Sequence, residues 1–176
     1  SGFTTDLSSL DGINGFRLDG RGFSVSGAGD VNGDGFDDVI IGSSDTSYVV
    51  FGKASGFDAT LGLSSLDGSN GFRLDGAGHS VSGAGDVNGD GFDDLIIGSP
   101  SSDLNGDFSG SSYVVFGKNS GFDATMNLSS LDGNNGFRLD GRQGGDRTLT
   151  SLVSNAGDIN GDGFDDLIIG DPFTNI

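Results

Sequence analysis

The sequence predicts an all-β chain made of four-stranded antiparallel β-propeller blades, with only part of a propeller present. Three observations predict it. Short motifs recur in fixed order: "LSSLDG" begins at Leu7, Leu63 and Leu128, "GFRLDG" at Gly15, Gly71 and Gly136, and "YVVFGK" at Tyr48 and Tyr113. The apolar segments are short, bounded by Gly, Ser, Asp and Asn, and none sustains the 3.6-residue period of a helix. Four such segments fall in each unit of about 55 to 70 residues, which is the arithmetic of a propeller blade. A sandwich or a β-solenoid competes with this reading, but solenoids ordinarily use shorter repeats.

Within a unit the strands are expected in this order. "FRLD" alternates, which places Phe16 and Leu18 on one face and Arg17 and Asp19 on the other. "FSVSGAGD" leads into an acidic loop, and "DDVIIGS" and "YVVFG" supply β-branched and aromatic runs. The divisions follow: residues 1–22 hold the outer strand of a preceding blade, 23–76 a blade, 77–141 a second blade and 142–176 an incomplete one. No "YVVFG" follows "DDLIIGDP", so the chain reads as a piece of a longer protein. The acidic loops are spaced 56 and then 72 residues apart. The longer interval comes from two insertions, "SSDLNGDFSGSS" before Tyr113 and "RQGGDRTLTSLVSN" before the third loop. Both are expected to be surface loops, where extra length is tolerated.

Composition narrows the function classes. A formal charge of −18 with one His leaves no cationic face to displace counterions from phosphates, which argues against nucleic acid. The balance favours cations or basic partners. The chain has no Cys, so disulfides and thiolate metal sites are excluded. No apolar run reaches the length of a membrane span, and "SGFTTDLSSL" lacks the basic start and apolar centre of a signal peptide. Hydrophobic residues make up only 33%, but 14 Phe recur at repeated positions, which indicates a patterned core rather than disorder.

The acidic loop carries the chemistry. "DVNGDGFDD" occupies Asp30–Asp38 and Asp86–Asp94, and "DINGDGFDD" occupies Asp158–Asp166. Two carboxylates about 4 Å apart repel by a few kcal/mol even at an effective dielectric near 20, so a cation is expected among them. Side-chain oxygens fall at positions 1, 3 and 5 (Asp30, Asn32, Asp34), Gly35 at 6 permits a sharp bend, and Asp38 at 9 closes the set. The Phe36 carbonyl, at position 7, is free to join. This is the opening of the EF-hand ligand scheme. Position 12, however, is Ile41 rather than Glu, so the helix-loop-helix reading fails and a calcium loop within a β-hairpin replaces it. An all-oxygen set without His or Cys selects a hard cation, and loose coordination by five protein ligands suits Ca²⁺ better than Mg²⁺. Three filled sites bring the formal −18 to −12. A plain turn would explain a single copy, since Asn-Gly and Asp-Gly favour hairpins. Three copies keeping positions 1, 3, 5, 6 and 9 do not fit that explanation. Position 8 (Asp37, Asp93 and Asp165) is expected to face outward and is not assigned as a ligand.

"YVVFGK", "SVSGAGDVNGDGFDDLIIGSP" and the D-x-N-x-D-G-x-x-D loop together resemble the FG-GAP repeats of the integrin α-subunit propeller and their bacterial relatives. The resemblance covers essentially the whole chain. It implies that the loop joins the first and second strands of a blade and binds Ca²⁺ on one face of the propeller. Carried over, the ligand sets are Asp30, Asn32, Asp34, Phe36 (carbonyl) and Asp38; Asp86, Asn88, Asp90, Phe92 and Asp94; and Asp158, Asn160, Asp162, Phe164 and Asp166. Three Ca²⁺ ions are the implied cofactors. The implied partners are other blades of the parent protein or other copies of the chain, and a protein or glycan ligand. An extracellular or cell-surface setting, bacterial in type, accompanies this, with adhesion as the use.

An enzyme is not expected. His79 stands where the preceding unit has Phe23, a variable strand-start position that is ordinarily surface, and no G-x-S-x-G elbow occurs. Arg142, Asp146 and Arg147 break the repeat but read as a solvated loop. A purely structural surface-layer or filament component, or the non-catalytic part of a secreted hydrolase, is the alternative. Asn127-Leu128-Ser129 matches a glycosylation acceptor and is given little weight.

Overall fold

The computed structural model describes residues 6–100, 102, 109–141 and 152–170. The cluster Arg142, Asp146 and Arg147 and most of the first insertion lie outside them. Thirteen strands are described: β1 (Arg17–Asp19), β2 (Ser24–Gly29), β3 (Asp38–Gly42), β4 (Thr46–Val50), β5 (Thr60–Gly62), β6 (Gly71–Asp75), β7 (Ser80–Gly85), β8 (Asp94–Ser99), β9 (Ser111–Val115), β10 (Thr125–Asn127), β11 (Gly136–Asp140), β12 (Leu152–Gly157) and β13 (Asp166–Gly170). "LVSN", expected to end a surface insertion, instead begins β12. Its Val153 is 8% exposed, because it repeats the place of Val81 in β7.

Two antiparallel blades are complete. In the first, β2, β3, β4 and β6 lie side by side, and Ile40 pairs with Val49, which pairs with Phe72. In the second, β7, β8, β9 and β11 repeat this with Ile96, Val114 and Phe137. β12 and β13 pair as the first two strands of a third. The chain is therefore all-β and built from propeller blades. On the outer strands Arg17 and Asp19 share a face and form an ion pair of 2.6 Å, as the alternation of "FRLD" requires.

The runs "VII" and "LII" are apolar throughout because both faces of a blade are covered. Ile40 joins Val49, Phe72, Leu74, Val81, Leu95 and Ile97 in the core between the two complete blades. Ile41, one residue on, turns the other way, toward Leu18 and Leu61. Ile96 faces Val153 of the third blade. Successive strand residues thus serve successive cores.

Each complete blade carries a short segment that reaches back and adds a parallel strand to the outer strand of the blade before it. β5 lies on β1 with Leu61 beside Leu18, and β10 lies on β6 with Met126 beside Leu74. Stacked rings reinforce each clasp, Phe57 on Phe16 at 4.0 Å and Phe122 on Phe72 at 4.3 Å between centroids. Lys53 and Lys118 sit 4.9 Å over the outer of these rings. A 3₁₀ turn follows, at Leu63–Ser65 and Leu128–Ser130, and buries its Leu. Asn127 of the glycosylation match caps the latter turn, accepting from the Ser129 amide at 2.9 Å.

Phe72 is fully buried and touches both Phe51 and the clasping Phe122. Phe72→Ala is expected to cost about 3–5 kcal/mol, the range for emptying a core aromatic site. Urea denaturation of the two chains measures it, and a loss near zero would show that the clasp does not bear on stability.

Candidate metal centre

Each acidic loop leaves its first strand through a β-bulge. The register between β2 and β3 shifts between Gly27 and Gly29, leaving Ala28 extra, and Gly29 takes φ 71°. The same step occurs at Gly83/Gly85 and Asn155/Gly157. A bulge bends the strand and redirects the chain, here into the loop. The loop therefore joins the first and second strands of each blade, at one end of the sheet.

The loop folds around its own side chains. The Asp34 amide donates to Asp30 Oδ1 at 3.0 Å and to Asn32 Oδ1 at 2.8 Å, so the oxygens of positions 1 and 3 meet at one donor. The Gly35 amide donates to Asp30 Oδ2, the Phe36 amide to Asp34 Oδ1, and Asn32 Nδ2 to Asp34 Oδ2 at 3.0 Å. Positions 1, 3 and 5 are thus brought together. The second loop repeats the pattern through Asp86, Asn88 and Asp90, and the third through Asp158, Asn160 and Asp162. Backbone donors, the Gly163 amide foremost, hold the Asp158 carboxyl below its ordinary value.

Position 9 is set apart. Asp38 is 1% exposed and its two oxygens accept from the Val31 amide at 3.0 Å and the Gly52 amide at 2.9 Å. Asp94 does the same with Val87 and Gly117. Gly52 and Gly117 are the glycines of the two "FGK" segments, so this carboxylate ties the loop to the end of the blade's third strand. Asp166 accepts from Ile159. Burial pushes the Asp38 carboxyl up to about 6 and the Asp94 carboxyl to about 7. Backbone donors oppose the rise, and the neighbouring loop carboxylates add to it.

Among the described residues no three Asp, Glu, His or Cys side chains stand as a preformed metal cage. The loop carboxylates turn instead onto their own amides. The donor set nonetheless fits a hard cation. It is all oxygen, and the Phe36, Phe92 and Phe164 carbonyls accept no hydrogen bond among the described residues. No described Lys or Arg neutralises it either, since the described ion pairs all lie on the outer strands.

Position 8 corrects the sequence reading. Asp37 is exposed, as expected, but Asp93 Oδ2 accepts from the Asp30 amide at 2.8 Å, and Asp165 Oδ2 from the Asp86 amide at 2.9 Å. These side chains point to the preceding blade because the loops of neighbouring blades abut. The signal was the doubled Asp of "FDD", whose first member no ligand scheme used. His79 is exposed and lies edge-on to Phe23, in keeping with a surface position.

The two loop glycines are needed for different reasons. Both have positive φ, 73° at Gly33 and 88° at Gly35. A Cβ on Gly35 meets nothing within 4 Å, whereas one on Gly33 would strike the Phe92 ring. Gly35→Ala is expected to cost about 1–2 kcal/mol, the penalty of the left-handed conformation, and Gly33→Ala more. In the third loop Gly161 and Gly163 both face open space, so their Ala variants should cost the same. Equal losses at Gly33 and Gly35, by urea denaturation, would contradict this packing.

Comparison with known proteins agrees with the geometry. The family model of the FG-GAP repeat matches residues 21–55 and 77–115, which contain the first two loops. Integrin alpha-4 of Xenopus laevis is 28% identical over 151 residues, covering 81% of this chain and 14% of that protein. The chain thus spans a small part of this curated relative. The chain thus carries two FG-GAP repeats at the matched residues, with a third acidic loop built alike, and is similar in sequence to an integrin alpha chain.

Proposed function

We propose that the chain is a calcium-stabilised, non-catalytic propeller module of an extracellular or cell-surface protein, serving adhesion or the binding of a protein or glycan. The observation that carries it is the threefold loop, with a position-9 carboxylate that is buried at Asp38 and Asp94 and half-buried at Asp166, and with no ion pair to a Lys or Arg among the described residues. Asp30, Asn32, Asp34, the Phe36 carbonyl and Asp38 would hold the ion in the first loop, and the corresponding residues in the other two. A bound Ca²⁺ supplies the positive charge that the buried and crowded carboxylates lack. FG-GAP and integrin-like proteins are generally non-catalytic, and the exposed His79 is consistent with that. An adhesive role draws on the likeness to integrin alpha-4.

Chelation tests the calcium part. Binding to the native state alone adds about 2.7 kcal/mol per site at 100-fold saturation, so EDTA should lower Tm by many degrees and Mg²⁺ should restore it poorly. The pH dependence has a definite sign. A carboxyl whose folded value is raised contributes stability below its unfolded value and loses it as pH rises through the folded one. The metal-free chain should therefore weaken from about pH 4 to about pH 7, following Asp38 and Asp94. Chelation should cost more at pH 8 than at pH 5. An unchanged melt after verified removal of metal would end the calcium reading.

The partner part rests on one exposed face. Val81 and Val153 are 5% and 8% exposed, covered by the blade before each, while Val25 at the same position is 75% exposed. Val25, Phe16, Leu18, Val39 and Ile41 line an open apolar groove of about 360 Å³. What covers this position elsewhere in the chain is a blade, so the occupant proposed here is a further blade of the same repeat, from the parent protein or a second copy. The isolated 17.7 kDa chain should then self-associate in light scattering and bind an apolar dye. A compact monomer without dye binding would contradict it.

A further inference from the structure

The loops are fastened to one another in series. The Asp93 amide donates to the Asp30 carbonyl at 3.3 Å, and the Asp30 amide donates back to Asp93 Oδ2 at 2.8 Å. The next junction repeats this: the Asp165 amide donates to the Asp86 carbonyl at 3.1 Å and the Asp86 amide to Asp165 Oδ2 at 2.9 Å. The first residue of a loop is therefore held at both its amide and its carbonyl by position 8 of the loop that follows. A Cβ on Gly29 or Gly85 would collide with that carboxylate, so the bulge glycine leaves the space it occupies. The ring at position 7 completes the contact, Phe92 covering Gly33 and Phe164 covering Gly89. The Lys118 amide, from the second blade, donates to the Val31 carbonyl at 2.9 Å.

Position 8 stands between two donors of its own loop, the carbonyl of position 7 and the carboxylate of position 9. We propose that Asp93 and Asp165 are positioning residues that couple the cation loops in a line, so that loading one loop raises the affinity of its neighbour. This rests on the calcium reading above. An ion that orders Phe92 and Asp94 also orders Asp93 between them, and Asp93 in turn fixes Asp30, the first donor of the preceding loop. Coupling between binding sites is reciprocal, so loading the first loop favours the second by the same factor. Asp93 itself touches no ion.

The test is a double-mutant cycle on the whole chain, read by calcium calorimetry and by hydrogen exchange at the Asp30 amide. Asp90→Ala, which removes a donor of the second loop, should weaken calcium at the first loop about 5-fold or more, the lower range of measured couplings. Asp93→Ala, which removes no donor, should weaken the first loop similarly and abolish its response to Asp90→Ala. It should also expose the Asp30 amide to exchange without calcium, a readout that does not depend on loading. Asp93→Asn keeps an acceptor oxygen and should retain most of the coupling. If Asp93→Ala does not fold, Asp165→Ala gives the same comparison between the second and third loops. First-loop affinity unchanged in Asp93→Ala, or a response to Asp90→Ala that survives it, overturns the proposal while leaving calcium binding intact. No calcium heat in the unmodified chain overturns the calcium reading instead.

Discussion

The buried carboxylate at the last position of the loop in each of the two complete blades is the interaction on which fold and site both depend. Asp38, the first residue of β3, joins the amide at the start of the loop after β2 to the amide just past the end of β4, the strands on either side of its own. The isosteric amide of Asn could not do the same, because it would present its NH₂ to one of the two backbone donors. The carboxylate is thus required by the backbone around it, and leaving those amides unpaired would cost about 1–3 kcal/mol each. Its charge is the consequence. Burial beside other acidic residues makes ionisation unfavourable, as the raised values of Asp38 and Asp94 record. The architecture creates a local excess of negative charge that a divalent cation would relieve.

The blades are joined at both ends by different chemistry. At the loop end the contacts are polar and backbone-centred, with Asp93 and Asp165 bridging to the preceding loop. At the outer edge they are apolar, through the parallel strands β5 and β10 and the stacked Phe pairs. This division explains a composition that is at once rich in Gly and in Phe. Glycine is needed where backbones touch: a Cβ on Gly83 would sit 2.8 Å from the Gly27 carbonyl of the neighbouring inner strand. Phenylalanine fills the wider outer space, where a propeller sector broadens.

Much of this was legible in the sequence. The strands, their alternation, the hairpin position of the loops and the grouping of positions 1, 3 and 5 follow from local period and turn chemistry, which a single unit already displays. What escaped the reading lies between units. The parallel clasp was signalled by "GFDAT", at Gly56–Thr60 and Gly121–Thr125, but a three-residue strand has no alternation to detect, and its partner is a blade away. Position 8 looked redundant because its hydrogen-bond partner is 63 residues distant. "LVSN" resembles an insertion because Leu152 and Asn155 replace the Ser and Gly of the other units, although Val153 keeps the buried position.

The first of these replacements, Leu152, bears on how the third blade differs. Ser24 Oγ accepts from the Val81 amide at 3.1 Å, and Ser80 Oγ from the Val153 amide at 3.2 Å, so each inner strand presents a hydroxyl to the next. β12 carries Leu152 there, 61% exposed and without an acceptor. A blade docking on that side would lose this hydrogen bond and meet an apolar side chain instead. The same side of the third blade also exposes Ile168, in the β13 register opposite Ser154. The third blade therefore does not repeat this face unchanged: it presents an apolar side chain where the first two present a hydroxyl. An inner strand packed there as β7 packs on β2 would leave without an acceptor the backbone amide that Ser24 and Ser80 satisfy at the first two junctions.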